Sequence, residues 1–427
     1  MNRRRRNVLG MALLGATGPL LAAPARRRTS ALDAELAAIA ADPACELASL
    51  SVLAIRAGRV SYEAQFGRRF IGHDGLPDKP VGPDTLFRIA SISKMMTTLG
   101  LLRLYENGKV NLDADVSGYL GFKLRNPHFP DQAITLRHLL THTSSLRDEA
   151  GYSWGADVAL KDVLLPGDAR MYATNAGPGA YFTYCNLGWG IIGTVMERIT
   201  GERFDRLMRR LLIDPLGLQA GYHPAELSPA ARANLATLYR KRTVDTEVWD
   251  AAGPWIAQAD DYSIKPPPAI DRYSIGTNAT PFSPTGGLRI SARDMGVVMR
   301  MLMGSGPRLL QPATLDLMFS RQWTYDGRNG DTADGLFRCW GLGNEQFPDA
   351  PGTRVVEGGG FPAVGHLGDA YGLMSVFVFD PARRHGMIVL AGGTSTDPFA
   401  PANKGRYSSL ARFQERILTA LYEGAIT

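Results

Sequence analysis

Short, mostly apolar runs typical of strands lie near both ends of the chain, whereas the middle of the chain has a helical repeat. Residues 49–55 and 60–64 are two strand-like runs on either side of Gly58, and residues 372–379 and 386–391 repeat this arrangement near the C-terminus. Each pair of runs predicts an antiparallel hairpin. We expect the two hairpins to join in one sheet, although they lie far apart in sequence.

Apolar residues at helical spacing mark several segments of the chain. Helices are predicted at residues 31–40, 91–104, 136–140, 186–199, 204–212, 291–303 and 408–423. Residues 253–284 are rich in proline, glycine and polar residues, and they predict a long surface segment that forms one wall of a cleft. The aromatic residues expected to line that wall are Trp255, Tyr262 and Tyr273.

These elements predict an α/β fold of the α+β type. An antiparallel sheet from the N- and C-terminal segments, residues 30–90 and 285–427, would be flanked by helices. A mainly helical region, residues 91–284, would be inserted between them. The junction of the two regions is where we expect the active-site cleft.

Composition and charge exclude several classes of protein. The chain has 427 residues, of which 45% are hydrophobic and 21% are charged, so disorder and coiled coil are not expected. The formal net charge is +6, and removing the four arginines of residues 1–25 would leave +2. The remaining basic residues form no patch interleaved with aromatic residues, so a nucleic-acid partner is not expected.

Residues 1–25 have the pattern of an export signal. A basic start at residues 3–6 precedes a short apolar run at residues 8–14, and residues 23–25 provide a small-x-small cleavage pattern. The sequence therefore predicts a Tat-like or Sec signal peptide and a periplasmic or secreted protein, with a disordered basic terminus as the alternative. The run is too short to span a membrane and no cysteine follows it, so no stable membrane anchor is expected.

Neither the cysteines nor the histidines indicate a metal site. Cys45, Cys185 and Cys339 are an odd number at wide spacing, which favours reduced, buried residues over disulfides or zinc ligands. His138 and His142 lie four residues apart, a spacing that metal ligands on a helix could have, but no third ligand has suitable spacing. We therefore expect helix capping or core hydrogen bonds for these histidines, no metal, and no cofactor.

The strongest chemical signal is a serine and a lysine on one predicted helix. Ser91 and Lys94 are three residues apart and so share a helix face. Lys94 is the only one of the eight lysines with a serine at that spacing, and its neighbours are apolar. Desolvation disfavours the charged form of an amine, so Lys94 is a candidate base that could activate the Ser91 hydroxyl.

Several motifs in order resemble the serine β-lactamase and penicillin-binding protein superfamily, in particular its class C β-lactamase-like branch. The similar blocks are residues 85–94, 134–146, 182–188, 283–288 and 366–368, within a likeness that spans residues 45–395. Residues 184–186 match the Tyr-x-Asn motif, and residues 366–368 match the (Lys/His)-x-Gly motif. The resemblance implies a β-lactamase/transpeptidase-like fold.

The resemblance also implies roles for the residues of the first two motifs. Ser91 would be the acylated nucleophile, and Lys94 and Tyr184 would form the proton-handling pair. Which of the two is the base stays open. Asn186 would hydrogen-bond the substrate near the scissile group. A phenol transfers protons usefully only if its neighbours lower its pKa, and we expect a Lys94 ammonium to lower the pKa of Tyr184.

The third motif would supply the opposite wall of the site. His366 and Gly368 would contact the substrate, and the backbone N–H groups of Ser91 and Asp369 would form the oxyanion hole. Two features depart from the family pattern. His366 replaces the lysine of many β-lactamases, which disfavours a substrate that carries a carboxylate. The acidic side chain of Asp369 must point away from the oxyanion.

The sequence therefore favours a serine hydrolase that cleaves an ester or amide of a small acyl donor through a Ser91 acyl-enzyme. A carboxylesterase or acyl transferase is the first choice, followed by a D-amino-acid peptidase of the DD-carboxypeptidase type and then a β-lactamase. The partner expected is a small ester, amide or D-amino-acid peptide. Two rival hypotheses remain: a non-catalytic ligand-binding homologue, and an α/β-hydrolase that uses Ser153 of the G-x-S-x-G pattern at residues 151–155.

Overall fold

The computed structural model describes residues 26–246, 248–263 and 265–427, so the predicted export signal lies outside the described residues. The strands are β1 (Ser49–Arg56), β2 (Arg59–Phe70), β3 (Lys79–Pro80), β4 (Phe87–Arg88), β5 (Leu238–Lys241), β6 (Trp255–Ala259), β7 (Arg289–Ile290), β8 (Trp323–Thr324), β9 (Cys339–Trp340), β10 (Glu345–Phe347), β11 (Ala363–Ala370), β12 (Leu373–Asp380), β13 (His385–Ala391) and β14 (Gly393–Thr394). The helices are α1 (Arg26–Ala40), α2 (Ile92–Glu106), α3 (Val116–Leu120), α4 (Leu136–Leu140), α5 (Leu160–Leu164), α6 (Leu187–Thr200), α7 (Phe204–Met208), α8 (Pro229–Ala233), α9 (Ala292–Leu302), α10 (Pro312–Phe319) and α11 (Arg412–Leu421).

The largest sheet joins the two ends of the chain, as the strand-like runs at those ends predicted. Its nine strands follow the order β3-β2-β1-β13-β12-β11-β10-β9-β8, and neighbouring strands are antiparallel. Both predicted hairpins are present, and β1 pairs with β13 so that Val52 lies opposite Val389. The α/β fold with an antiparallel sheet is therefore confirmed.

Both faces of this sheet are buried because both sets of alternating side chains in its central strands are apolar. In β12, Phe377 and Phe379 join the core that lies under the helical region. Val376 and Val378 join a second core, which α1 and α11 cover on the outer face. Burial of a large aliphatic or aromatic side chain contributes about 1.5–3 kcal/mol, so these two cores fix the sheet between two helical layers.

Helix α2 runs through the larger core. It is apolar on nearly every side, and 12 of its 15 residues are buried. A helix with this pattern is expected inside a large domain and not at its surface. Its N-terminus therefore has a fixed position beside the sheet.

The prediction for residues 253–284 is partly wrong. Residues Trp255–Ala259 form strand β6, which pairs with β5. The three aromatic residues do not line the cleft: Trp255 packs near Lys241, the Tyr262 hydroxyl donates to Asp260, and the Tyr273 hydroxyl donates to Glu197. Both tyrosine hydroxyls donate to buried carboxylates, and these contacts cannot be read from composition alone.

The other corrections concern single elements. Helix α11 begins at Arg412 and not at residue 408, because the Glu415 carboxylate accepts the N–H groups of residues 406–408 and holds them in a loop. The three cysteines are free and buried, as predicted. No helix within the described ranges combines the length and hydropathy that a bilayer span requires.

Candidate active site

A cleft of about 1010 Å³ lies between the sheet and the helical region. Ser91, Tyr184 and Asn186 line it on the helical side, and His366 and Asp369 of β11 line the side of the sheet. The predicted site residues, which are spread over nearly 280 positions of sequence, are thus close together. Their roles are argued below from the contacts of each side chain.

The backbone before α2 presents Ser91 to this cleft. Ala90 has a φ of 47°, a left-handed conformation that is rare for a residue with a side chain and often stored at functional sites. Ser91 follows as the N-cap of α2. No described residue accepts a hydrogen bond from its N–H. This N–H lies at the positive end of the helix, which favours developing negative charge.

Lys94 is completely buried one helical turn from Ser91. Its Nζ lies 2.9 Å from Ser91 Oγ, 2.8 Å from Asn186 Oδ1 and 3.1 Å from the Thr285 carbonyl oxygen. Burial lowers the pKa of Lys94 to about 7, although the nearby Asp148 carboxylate opposes the shift. A substantial fraction of the amine is therefore neutral near neutral pH and within reach of the serine proton.

Tyr184 differs from the sequence-based expectation. Burial raises the pKa of its phenol, and the contact with Ser91 opposes this shift only in part. The Tyr184 ring stacks on His142 and on Phe337 at centroid distances of 4.4 Å and 5.2 Å, and Lys94 Nζ lies 4.8 Å from its centroid. The expectation that Lys94 lowers the pKa of Tyr184 is wrong, because burial and the nearby carboxylates both raise this pKa. A protonated phenol suits proton donation better than proton abstraction.

Asp148 connects the second motif to Lys94 and was missed by the sequence analysis. Its carboxylate accepts the backbone N–H groups of Asn186 and Leu187 at 2.7 Å and 2.9 Å, and the Asn186 side-chain amide at 2.9 Å. The Asn186 Oδ1 is thereby directed toward Lys94. Asp148 therefore both positions Asn186 and stabilises the charged form of Lys94.

The Asp148→Asn variant tests this double role. Removal of the carboxylate charge lowers the pKa of Lys94 further, so we expect the acidic limb of the kcat/KM profile, near pH 7 in the wild type, to move to lower pH. The plateau should fall by about 10- to 100-fold because Asn186 loses charge-assisted hydrogen bonds. An Asp271→Asn control changes an exposed carboxylate and should leave both unchanged. If the plateau of kcat/KM fell but its acidic limb stayed at the wild-type pH, the effect of Asp148 on the pKa of Lys94 would be contradicted.

His366 is buried and uncharged. Its Nδ1 lies 2.6 Å from the Leu367 carbonyl oxygen and must carry the proton there, so Nε2 keeps its lone pair. Burial, with a smaller effect from Lys94, lowers the pKa of His366 to about 3. A neutral imidazole is a weak partner for a carboxylate.

Gly368 and Asp369 follow on the same strand. A Cβ on Gly368 would lie 2.4 Å from the Ile89 carbonyl oxygen, so only glycine lets β11 approach the segment before Ser91. Asp369 lines the cleft, and desolvation raises the pKa of its carboxyl to about 6 while Arg240 opposes the shift. The oxyanion hole formed by the N–H groups of Ser91 and Asp369 remains a prediction.

Ser153 does not have the surroundings of a nucleophile elbow. It also lines the cleft, but residues 151–155 form an irregular loop with no strand before them. His138 belongs to the capping box of α4, and His142 Nδ1 accepts the N–H of Cys185 at 2.9 Å. Among the described residues no group of three or more His, Cys, Asp or Glu side chains could hold a metal ion.

Comparison with known proteins identifies the family. A family model described as Beta-lactamase matches residues 34–411. The chain belongs to the Beta-lactamase family. Esterase EstB of Burkholderia gladioli is 35% identical over 172 residues, which cover 36% of this chain and 43% of EstB. The match thus spans less than half the length of that relative.

Solved structures of other Beta-lactamase-like proteins have the same fold. A class C beta lactamase from Rhodobacter sphaeroides aligns with a TM-score of 0.63 and 20% identity, over 92% of this chain and 98% of that chain. D-amino acid amidase from Ochrobactrum anthropi SV3 aligns with a TM-score of 0.61 and 20% identity, over 92% and 96%. The β-lactamase fold is therefore shared by proteins with different named activities.

Proposed function

We propose that the protein is a serine carboxylesterase that hydrolyses esters of small acyl groups through an acyl-enzyme on Ser91. The observation that carries the proposal is the 2.9 Å separation of Ser91 Oγ from the buried Nζ of Lys94, whose pKa is lowered to about 7. The export signal predicted at residues 1–25 makes a periplasmic or secreted location part of the same proposal.

Acylation follows from these positions. The neutral Lys94 amine takes the proton from Ser91 Oγ, which attacks the carbonyl carbon of the ester. The N–H groups of Ser91 and Asp369 stabilise the resulting oxyanion. As the bond to the alcohol breaks, the Tyr184 phenol gives its proton to the leaving oxygen and recovers a proton from the Lys94 ammonium. The products are the free alcohol and an acyl ester on Ser91.

Deacylation reverses the proton transfers. Water attacks the acyl carbonyl and gives a proton to the neutral Lys94 amine. As the bond between the acyl carbon and Ser91 Oγ breaks, Oγ takes a proton back from Lys94 or Tyr184, and the carboxylic acid leaves. Asn186 is held by Asp148 so that Oδ1 faces Lys94 and the Thr285 hydroxyl. An alcohol acceptor in place of water would give acyl transfer by the same steps.

The preference for an ester over a β-lactam is supported by the neutral His366 in the third motif, because a penicillin carries a carboxylate that a cation binds better. The similarity to Esterase EstB also supports an ester substrate. A D-amino-acid amidase or peptidase is the second candidate, supported by the fold shared with D-amino acid amidase and by a cleft large enough for a peptide.

A panel of three substrates distinguishes these candidates. We expect kcat/KM for a short-chain nitrophenyl ester to exceed the values for a D-Ala–D-Ala peptide and for a penicillin by about 10-fold or more. The peptide and the penicillin each carry a carboxylate, and a site without a cation to bind it loses at least that factor. The Ser91→Ala variant supplies the background rate. Faster turnover of the peptide or of the penicillin would contradict the esterase proposal and favour a peptidase or a β-lactamase, respectively. Failure of all three would favour a non-catalytic binding homologue.

A further inference from the structure

One buried histidine contacts the backbone on both sides of Tyr184 and also the Tyr184 ring. The backbone carbonyl of His142 accepts the N–H of Thr183 at 2.8 Å, and its Nδ1 accepts the N–H of Cys185 at 2.9 Å. The imidazole stacks on the Tyr184 ring with a centroid distance of 4.4 Å and an interplanar angle of 26°. His142 therefore restrains both the backbone around Tyr184 and the plane of its phenol.

The conformation and protonation of His142 are costly to the fold. Its φ of 56° is left-handed, a conformation that is uncommon for a residue with a side chain and that clusters at functional sites. Because Nδ1 accepts a hydrogen bond, the neutral ring carries its proton on Nε2, which is buried without a partner in the described part of the chain. An apolar side chain would fill the core without an unpaired N–H. What the histidine adds at this position is a flat ring that also carries an acceptor for Cys185.

His142 contributes position and not charge. Burial lowers the pKa of His142 well below its ordinary value, and Lys94 and His366 shift it in the same direction, so the imidazole is uncharged near neutral pH. Trp340 packs edge-on against the imidazole at a centroid distance of 4.9 Å. The ring is thus fixed in the core, and it holds Tyr184 without adding a charge beside the phenol.

We propose that His142 is a positioning residue, which holds the Tyr184 phenol where it can protonate the leaving oxygen of the substrate. This inference rests on the proposed function of Ser91 and on the acid role proposed for Tyr184. When the bond between the acyl carbon and the leaving oxygen breaks, the Tyr184 proton passes to that oxygen, and the Lys94 ammonium returns a proton to Tyr184. An ethoxide needs this proton far more than a nitrophenolate, which is stable as an anion. Displacement of the phenol should therefore slow cleavage of an ethyl ester more than cleavage of a nitrophenyl ester.

Two esters of one acid, nitrophenyl acetate and ethyl acetate, measure this dependence. They form the same acyl-enzyme, so the ratio of their kcat/KM values reports proton transfer to the leaving group during acylation. We expect this ratio to rise by about 100-fold or more in Tyr184→Phe, which lacks the acid. An unchanged ratio in that variant, or a wild type that cleaves only the nitrophenyl ester, would overturn the inference and leave the proposed function of Ser91 intact. Ester hydrolysis above background in Ser91→Ala would instead contradict the proposed function.

Two substitutions separate the contacts of His142. His142→Asn keeps a hydrogen-bond acceptor close to the backbone and tolerates the left-handed conformation, but it loses the stacked ring. His142→Phe keeps a flat ring but leaves the Cys185 N–H without its acceptor. In each folded variant we expect the ratio of nitrophenyl to ethyl ester to rise by about 10-fold, because one restraint on Tyr184 remains.

His138→Asn is the matched control, because His138 belongs to the same segment but does not line the cleft. It should keep the wild-type ratio. Thermal unfolding identifies the variants that are folded. If the His142 variants lost kcat/KM by the same factor for both esters, so that the ratio stayed at the wild-type value, His142 would have a merely structural role and the proposal would be overturned.

Discussion

Replacing Ser91 with alanine is expected to lower kcat/KM for a short-chain nitrophenyl ester by about 10⁴-fold or more, because the variant has no oxygen nucleophile beside Lys94. Steady-state hydrolysis with active-site titration measures this change. The fold should persist, since Ser91 lies at the cleft as the N-cap of α2 and makes no side-chain capping bond.

Ser153→Ala is the matched control for this prediction. It removes a hydroxyl that also lines the cleft, but that lies on an irregular loop without a neighbouring base in the geometry of Lys94. We expect its activity to stay within about threefold of the wild type. Loss of activity in Ser153→Ala with retention in Ser91→Ala would establish the α/β-hydrolase alternative.

The second large effect is expected from Lys94→Met, which replaces the buried amine with an apolar side chain of similar length. Loss of the proposed base should reduce kcat by about 10²- to 10⁴-fold. The stability should change in the opposite direction, because a buried ammonium is costly. Steady-state kinetics and thermal unfolding of the same preparations measure both effects.

The gain in stability should depend on pH in a defined window. The pKa of Lys94 is about 7 in the folded protein and 10.5 in an unfolded chain, so between these values the unfolded chain binds more protons. Wild-type stability therefore falls relative to Lys94→Met as the pH is lowered from about 10 to about 7, by up to about 4–5 kcal/mol, and stays level below that. A difference that does not vary over this window would contradict the shifted pKa.

Apolar strand runs on either side of turns made the central architecture predictable. In β1 and β12 both faces are apolar, so the sheet had to lie between two layers, and the two hairpins were found where the pattern placed them. Strand β6 was not predicted because it is short and is defined by its pairing with β5, which periodicity does not show. Tertiary pairing outweighed the loop-like composition of that segment.

The residues of the site were predictable where motifs named them. Ser91 and Lys94 lie within hydrogen-bond distance, and Asn186 contacts Lys94 directly. Asp148 was missed because an acidic residue in a polar stretch of sequence looks like a solvated one. Only the fold shows that its carboxylate supports Asn186.

The direction of a pKa shift depends on burial, and this explains the error for Tyr184. From the sequence the nearest charge, Lys94, appeared to decide the pKa of the phenol. In the structure Tyr184 lies between His142 and Phe337, and desolvation dominates both the phenol and the amine. The same burial that favours the neutral amine of Lys94 also favours the protonated phenol of Tyr184, which supports the different roles proposed for the pair.

The measurement that tests the central claim most directly is intact-mass spectrometry of protein quenched shortly after mixing with a short-chain nitrophenyl ester and a penicillin together, followed by peptide mapping. The account predicts a single added acyl group from the ester, located on the peptide that contains Ser91 and absent in Ser91→Ala. A lasting penicillin adduct, an acyl group on Ser153, or ester turnover with no adduct on Ser91 under conditions where deacylation is slow would contradict it.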